Sequence, residues 1–335
     1  MKKTAKIFIL LFLSIILISL VFFFDKIKLD ISNVILLCGK NIIPSLFPVF
    51  CITLIIVNSG AVAFIPEKAA PLFIFFLSQI SGYPVGATML NSIKQNGQLN
   101  EDSALKVLPS MICAGPAFVI NIVGSQMYND IKIGIRIYIC QITANFLLFI
   151  LNGGLTLNIK RYCNSIKISN IFTNSIKKSV DSVMNICAYV VLFSAFSSIV
   201  SHLFGTIYSQ YFLYIFEVTG AVYKSNNIYI SCAILSWGGI CVIIQIISVC
   251  ENIKIKFFPL IFTRVICAYI SCLFLKLSFI VLPYSKTAIS NLHNNPEPVM
   301  VNNFTFAIIL LFSLVVFLFS ISKRASGKFF NDIIC

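Results

Sequence analysis

Ten apolar runs follow one another along this 335-residue chain, at roughly 7–24, 41–65, 71–93, 104–127, 133–157, 180–204, 207–222, 229–250, 258–282 and 303–321. All but the seventh have 18 residues or more, enough as helix to cross the hydrocarbon of a bilayer. Only 11% of the residues are charged, against about 25% in soluble domains. A water-facing surface cannot be built from so few ionised groups. The chain is expected to be an all-α polytopic membrane protein with lipid as its outer solvent. That excludes a soluble enzyme, a cytosolic binding module and a disordered tail protein.

The formal net charge of +14 would suggest nucleic acid in a soluble protein. Here the cations sit in short loops, where they record orientation instead. Lys2, Lys3 and Lys6 precede the first run, whose length suits an uncleaved anchor better than a signal peptide. With 71–93 and 207–228 re-entrant and every other run crossing, 16 Lys and Arg fall inside and 7 outside, and Arg264 and Lys276 lie within a span. The expectation is about eight spans, two re-entrant helical hairpins and both termini cytoplasmic. Residues 25–40, with Lys26, Lys28 and Lys40 outside, fit this scheme worst.

The hairpin reading comes from broken runs. Ser81-Gly82-Tyr83-Pro84-Val85-Gly86 interrupts 71–93 near its middle. Each side has about ten residues, or roughly 15 Å of helix, half a hydrocarbon core. Pro84 lacks a donor and the glycines allow a tight reversal; a single kinked span is the alternative. Related breaks recur. Gln79-Ile80-Ser81-Gly82 precedes Glu217-Val218-Thr219-Gly220 by 138 positions, and Ala114-Gly115-Pro116 precedes Trp237-Gly238-Gly239 by 123, as does Gln141 Arg264. Each unit reads span, hairpin, broken span, span. An odd number of crossings inverts the second copy, giving the inverted internal repeat seen in many secondary transporters. Interrupted helices leave free N–H and C=O groups that must face protein or a polar cavity. The resulting division is 1–37 (anchor helix and loop), 38–157 (first repeat), 158–179 (basic cytoplasmic linker), 180–282 (second repeat), 283–302 (external loop) and 303–335 (last span and basic tail).

Taken together, Ser81-Gly82-Tyr83-Pro84-Val85-Gly86, Ala114-Gly115-Pro116-Ala117-Phe118 and Ser236-Trp237-Gly238-Gly239 resemble the sporulation integral membrane protein family with a nucleoside-recognition, or gate, domain. The resemblance covers roughly residues 38–282. The architecture is also distantly similar to concentrative nucleoside transporters. What the resemblance implies is a role in endospore formation, moving dipicolinate across the outer forespore membrane. Nucleoside-type transport and a non-transporting sporulation scaffold are the alternatives. Other sporulation membrane proteins, or further copies of the chain, are the partners it would suggest.

Candidate site residues follow from the breaks and from polar groups in apolar runs. The backbone of Ser81, Gly82, Tyr83, Pro84 and Gly86, and of Gly115 and Pro116, would offer N–H groups to an anion. Tyr83 could stack on an aromatic solute. Glu217 is the acid placed well inside an apolar stretch, a proton-coupling or cation-contacting group if deep and an interfacial acid if shallow. Gln79 could hydrogen-bond solute, with Thr219 and Gly220 beside Glu217. Trp237, Gly238 and Gly239 could line the cavity. Arg264 suits a carboxylate bidentately or snorkels to the interface. Asn121, Gln126, Gln141 and Gln245 are lesser candidates that could bridge helices. With two His, no C-x-x-C and no phosphate-binding G-x-x-x-x-G-K-[ST], no metal site, cofactor or ATP hydrolysis is expected. Nor is enzymatic activity.

Overall fold

The computed structural model describes residues 14, 17–160, 168–250 and 252–281, and among them every regular element is helical. The expected external loop at 283–302, the last span and tail at 303–335 and half of the first run (7–13, 15 and 16) lie outside the described residues. Five helices are long and apolar enough to cross a membrane: Phe24–Asn58, Ile131–Leu151, Ser169–Phe204, Ile228–Val249 and Phe257–Val281. Their outward side chains are apolar too; Phe258, Phe262 and Tyr269 stand exposed on the last of them.

Residues 25–40 are helix, not the loop that charge counting predicts. α1 (Phe24–Leu37) runs through a π-helical turn, Cys38–Ile42, into α2 (Ile43–Asn58). The reason is one apolar face. Ile27, Ile31, Val34 and Cys38 recur at helical spacing, with Ile27 and Cys38 buried. The polar face is also engaged, since Ser198 Oγ donates to Asp30 at 2.5 Å. Much of the expected linker at 158–179 is likewise helical. α8 (Ile168–Phe204) has 37 residues, roughly 55 Å of helix. Its hydroxyls at Ser179 and Ser182 bond back to carbonyls four residues earlier, and Ser175 accepts from Asn58 Nδ2 of α2 at 2.9 Å. Lys177, Lys178 and Asp181 take the other face, so the stretch looks like a basic loop when its faces are ignored.

Shorter helices follow α2 and α8. After α2 come α3 (Ala70–Ser81), α4 (Val85–Gln95), α5 (Glu101–Val107) with a 3-10 turn at Leu108–Met111, α6 (Ala117–Met127, wound as a π-helix) and the long α7 (Ile131–Leu151). After α8 come α9 (Thr206–Phe216), α10 (Val218–Tyr223), α11 (Ile228–Trp237), α12 (Gly239–Val249) and the long α13 (Phe257–Val281). Two breaks punctuate each series: Gly82–Pro84 and Ile112–Pro116 in the first, Glu217 and Gly238 in the second.

Two local devices hold the short helices in register. Asn227 caps α11, accepting from Tyr229 N at 2.8 Å and Ile230 N at 3.3 Å. Asn227→Ala is expected to cost about 1 kcal/mol, read as a lower unfolding temperature in detergent. At the other end of the molecule, Glu101 accepts from Lys254 N at 3.0 Å and pairs with Lys94 Nζ at 3.4 Å. Lys94 also donates to Asn252 O. The Lys254 amide, ahead of Lys94, holds the Glu101 carboxyl below its ordinary value. A depressed carboxyl contributes stability above its unfolded pKa and loses it as pH falls through the folded one. The tie between the α4–α5 turn and the α12–α13 loop is therefore expected to loosen in acid, seen as faster hydrogen exchange at Lys254 N after correction for the intrinsic rate.

Candidate functional site

Four helix breaks meet around one small cavity. Its lining includes Tyr83 from the first break, Ala114 and Gly115 from the second, Glu217 and Thr219 from the third, and Cys241 and Gln245 from the first turns beyond the fourth. Each half closes on itself by backbone contact. Gly82 lies so near Gly115 that a Cβ on it would stand 2.8 Å from Gly115 N. Gly239 does the same in the second half, where a Cβ would stand 2.9 Å from Phe216 O. Tyr83 N donates to Cys113 O at 2.8 Å, which ties the first break to the second. Only glycine permits these approaches, and Gly82, Gly238 and Gly239 also hold φ of 76°, 81° and 76°.

The cavity is lined by residues at or near the N-terminal ends of α4, α6 and α10, by Cys241, Val242 and Gln245 of α12, and by Ile42, Leu46, Ile186 and Val190 from the π-helical turn, α2 and α8. Helix N-termini carry partial positive charge. One of them is already met. Glu217 is fully buried, and its carboxylate accepts from Thr219 N at 2.6 Å and Gly220 N at 2.5 Å, capping α10. Gly220 makes room for this, since a Cβ there would lie 3.1 Å from Glu217 Oε2. Glu217 has no ion-pair partner among the described residues. Two further polar atoms near it lack hydrogen-bond partners: Tyr83 Oη and Gln245 Oε1.

The C-terminal ends point elsewhere, to a second polar centre. Arg264 of α13 is 0% exposed and neither snorkels nor lines the cavity. Its Nη1 donates to Pro109 O at 3.0 Å and Asn145 Oδ1 at 3.1 Å, and its Nη2 donates to Ser236 O. Pro109 belongs to the 3-10 turn after α5 and Ser236 to the last turn of α11. A cation thus meets the partial negative charge of two helix C-termini. Asn145 Nδ2 donates to Ile112 O at 3.0 Å and to Gln79 Oε1 at 2.9 Å, and Gln79 Nε2 donates to Ser110 O at 3.1 Å. The carbonyls freed by the second break are covered in this way by side chains of α3, α7 and α13.

Of the residues singled out from sequence, Tyr83, Gly115, Glu217, Thr219 and Gln245 line the cavity, and Gly82, Gly220 and Gly239 pack directly behind it. Gln79 and Arg264 belong to the second centre. Ser81 Oγ is spent on Leu77 O at 2.9 Å within its own helix. Gly86 is packed against the Met111 carbonyl, a contact of fit, not of binding. Trp237 Nε1 donates to Ile215 O at 3.3 Å, pinning α11 to α9. Pro84 and Pro116 are the residues from which α4 and α6 start. Asn145, the hub of the second centre, was not singled out, although an amide inside the apolar stretch 144–151 was a visible signal.

No family model, no curated protein and no solved structure matches this chain.

Proposed function

We propose that the chain is a membrane transporter or gate protein that moves a small solute by alternating access around the cavity. The observation that carries the proposal is the convergence of four helix breaks on one buried, partly polar space. Breaks of this kind are costly in lipid and useful only where backbone polar groups meet a cavity. In this reading α3–α4 and α9–α10 are two re-entrant hairpins, the two helix series are inverted repeats, about eight helices span, and both termini are cytoplasmic.

The proposed cargo is a small anion, dipicolinate, carried across the outer forespore membrane. The motif resemblance and the three N-terminal helix ends around the cavity support it. A nucleoside-type solute is the second reading. It is favoured by the acceptor character of Glu217 and Gln245 Oε1, and by the absence of Lys and Arg from the lining. Either solute requires the breaks to part, because the cavity offers about 40 Å³ to water centres, room for on the order of three waters.

Purified protein in liposomes, offered labelled dipicolinate or labelled uridine, tests this. Uptake of one of them above empty liposomes is expected, with at least a tenfold loss in Gly115→Leu protein that still inserts (about 1.4 kcal/mol per decade). Failure of both solutes would remove the transport reading, and uptake of uridine alone would remove dipicolinate.

A further inference from the structure

The cavity is lined by a fully buried carboxylate and by a buried amide oxygen that has no donor among the described residues. Glu217 lies in the third break, with both oxygens taken by backbone amides of α10. Gln245, 2% exposed on α12, lines the same cavity, yet its Oε1 has no partner while its Nε2 donates to Cys241 Sγ at 3.2 Å. A buried amide oxygen is costly unless a donor reaches it. A carboxylate cannot relieve it, because a carboxylate is acceptor only; a carboxylic acid can, because it carries one O–H.

We propose that Glu217 is a proton carrier whose protonation exchanges the cap of α10 for a hydrogen bond to Gln245 Oε1, which rests on the transport reading only for what the switch is used for. The step is simple proton transfer. A proton arrives from water on one side and forms the O–H bond on Glu217. The amide of Thr219 or Gly220 loses its acceptor, and the O–H turns to Gln245. The proton later leaves to water on the other side. No electrons move.

The consequence falls on α10. With six residues it is too short to persist by its own hydrogen bonds, so its first turn depends on the cap. α10 is also the far arm of the third break, so uncapping it loosens one wall of the cavity. Titratable groups stand on several of the neighbouring elements. Tyr83 from the first break and Cys241 from α12 line the same cavity, and Cys38 lies in the π-helical turn. Behind Cys38 stands Cys187 of α8. On α11, Cys232 turns to Cys272 of α13. α6 contributes no titratable side chain. On α9, Tyr208 and Tyr211 are exposed and Tyr214 accepts from Gln210. At the far end of α10, Lys224 donates to Ser209 at 3.1 Å. The buried guanidinium of Arg264 donates to carbonyls and Asn145.

The full-length protein in lipid, titrated across the acid-to-neutral range, is the test. Infrared difference spectra are expected to show a carboxylic-acid carbonyl band that appears on acidification and is lost in Glu217→Gln. In Gln245→Leu the band should move to higher wavenumber, since the acid loses its acceptor. Hydrogen exchange corrected for intrinsic rate should show Thr219 and Gly220 amides losing protection together with the rise of the band. A band that is unchanged in both variants, or protection at Thr219 and Gly220 that does not follow pH, overturns the proposal. Solute uptake separates this from the transport reading. Uptake that persists with no band and no pH response leaves a transporter without this carrier. A band and a protection change without uptake of either solute leaves the switch and removes the transport assignment. If Glu217→Gln fails to fold, the Gln245→Leu shift decides alone.

Discussion

Arg264→Leu is expected to yield little or no folded protein. The substitution leaves Pro109 O, Ser236 O and Asn145 Oδ1 buried without their donor. Each orphaned buried acceptor costs about 1–3 kcal/mol, so a loss of about 3–5 kcal/mol or more is expected, comparable to a whole small domain's margin. Size-exclusion profiles and thermal unfolding in detergent read it directly. Arg264→Lys is the informative companion. It retains the charge but not the planar fork that reaches two carbonyls at once, so partial recovery is expected. Full recovery by lysine would mean that charge alone matters. Wild-type stability in Arg264→Leu would show that the carbonyls have other partners.

Gly82→Ala is expected to be strongly destabilising. Its backbone, at φ 76° and ψ 172°, lies in a region that only glycine occupies readily, worth about 1–3 kcal/mol for any other residue. The added Cβ would also stand 2.8 Å from Gly115 N and 2.9 Å from Gly115 Cα. Backbone must move to relieve that, at a further cost of about 1–3 kcal/mol. Gly97→Ala supplies the control. Gly97 has φ 72° with nothing within 4 Å of the added carbon, so only about 1–2 kcal/mol of conformational cost applies there. The backbone costs at the two sites agree to within about 1 kcal/mol, so a loss at Gly82 that exceeds the loss at Gly97 by more than that, measured by unfolding under identical conditions, reports the Gly82–Gly115 contact. Equal losses would show that the close approach contributes nothing.

Much of the helix punctuation was legible because its causes are local. Gly82 with Pro84, Gly115 with Pro116, and Gly238 with Gly239 interrupt helices by backbone geometry that the residue type dictates. Glu217 was legible as a buried acid in an apolar run. Its manner of breaking the helix was not. Sequence pairs Glu217 with Gln79, 138 positions earlier. The helices, however, end at Phe216 and Ser81. The break at Glu217 is made by a side-chain cap and the break at Gly82 by a glycine, so matching residue types pairs two breaks of different cause. Arg264 was undecided for a different reason. A long side chain goes where acceptors lie, and its acceptors lie more than 25 positions away in α11 and more than 150 away beside α5. Residues 25–40 and 168–179 deceived by composition: a helix with one apolar stripe and one charged face has the charge of a loop.

The guanidinium of Arg264 has a mechanical meaning as well as an electrostatic one. Pro109 belongs to the first helix series and Ser236 to the second, so one side chain of α13 stitches the two at a single depth. Sliding the first series against the second there would strip Pro109 O and Asn145 Oδ1 of their donor while Ser236 O kept its own. A movement that preserves this stitch has to turn about it as a fulcrum.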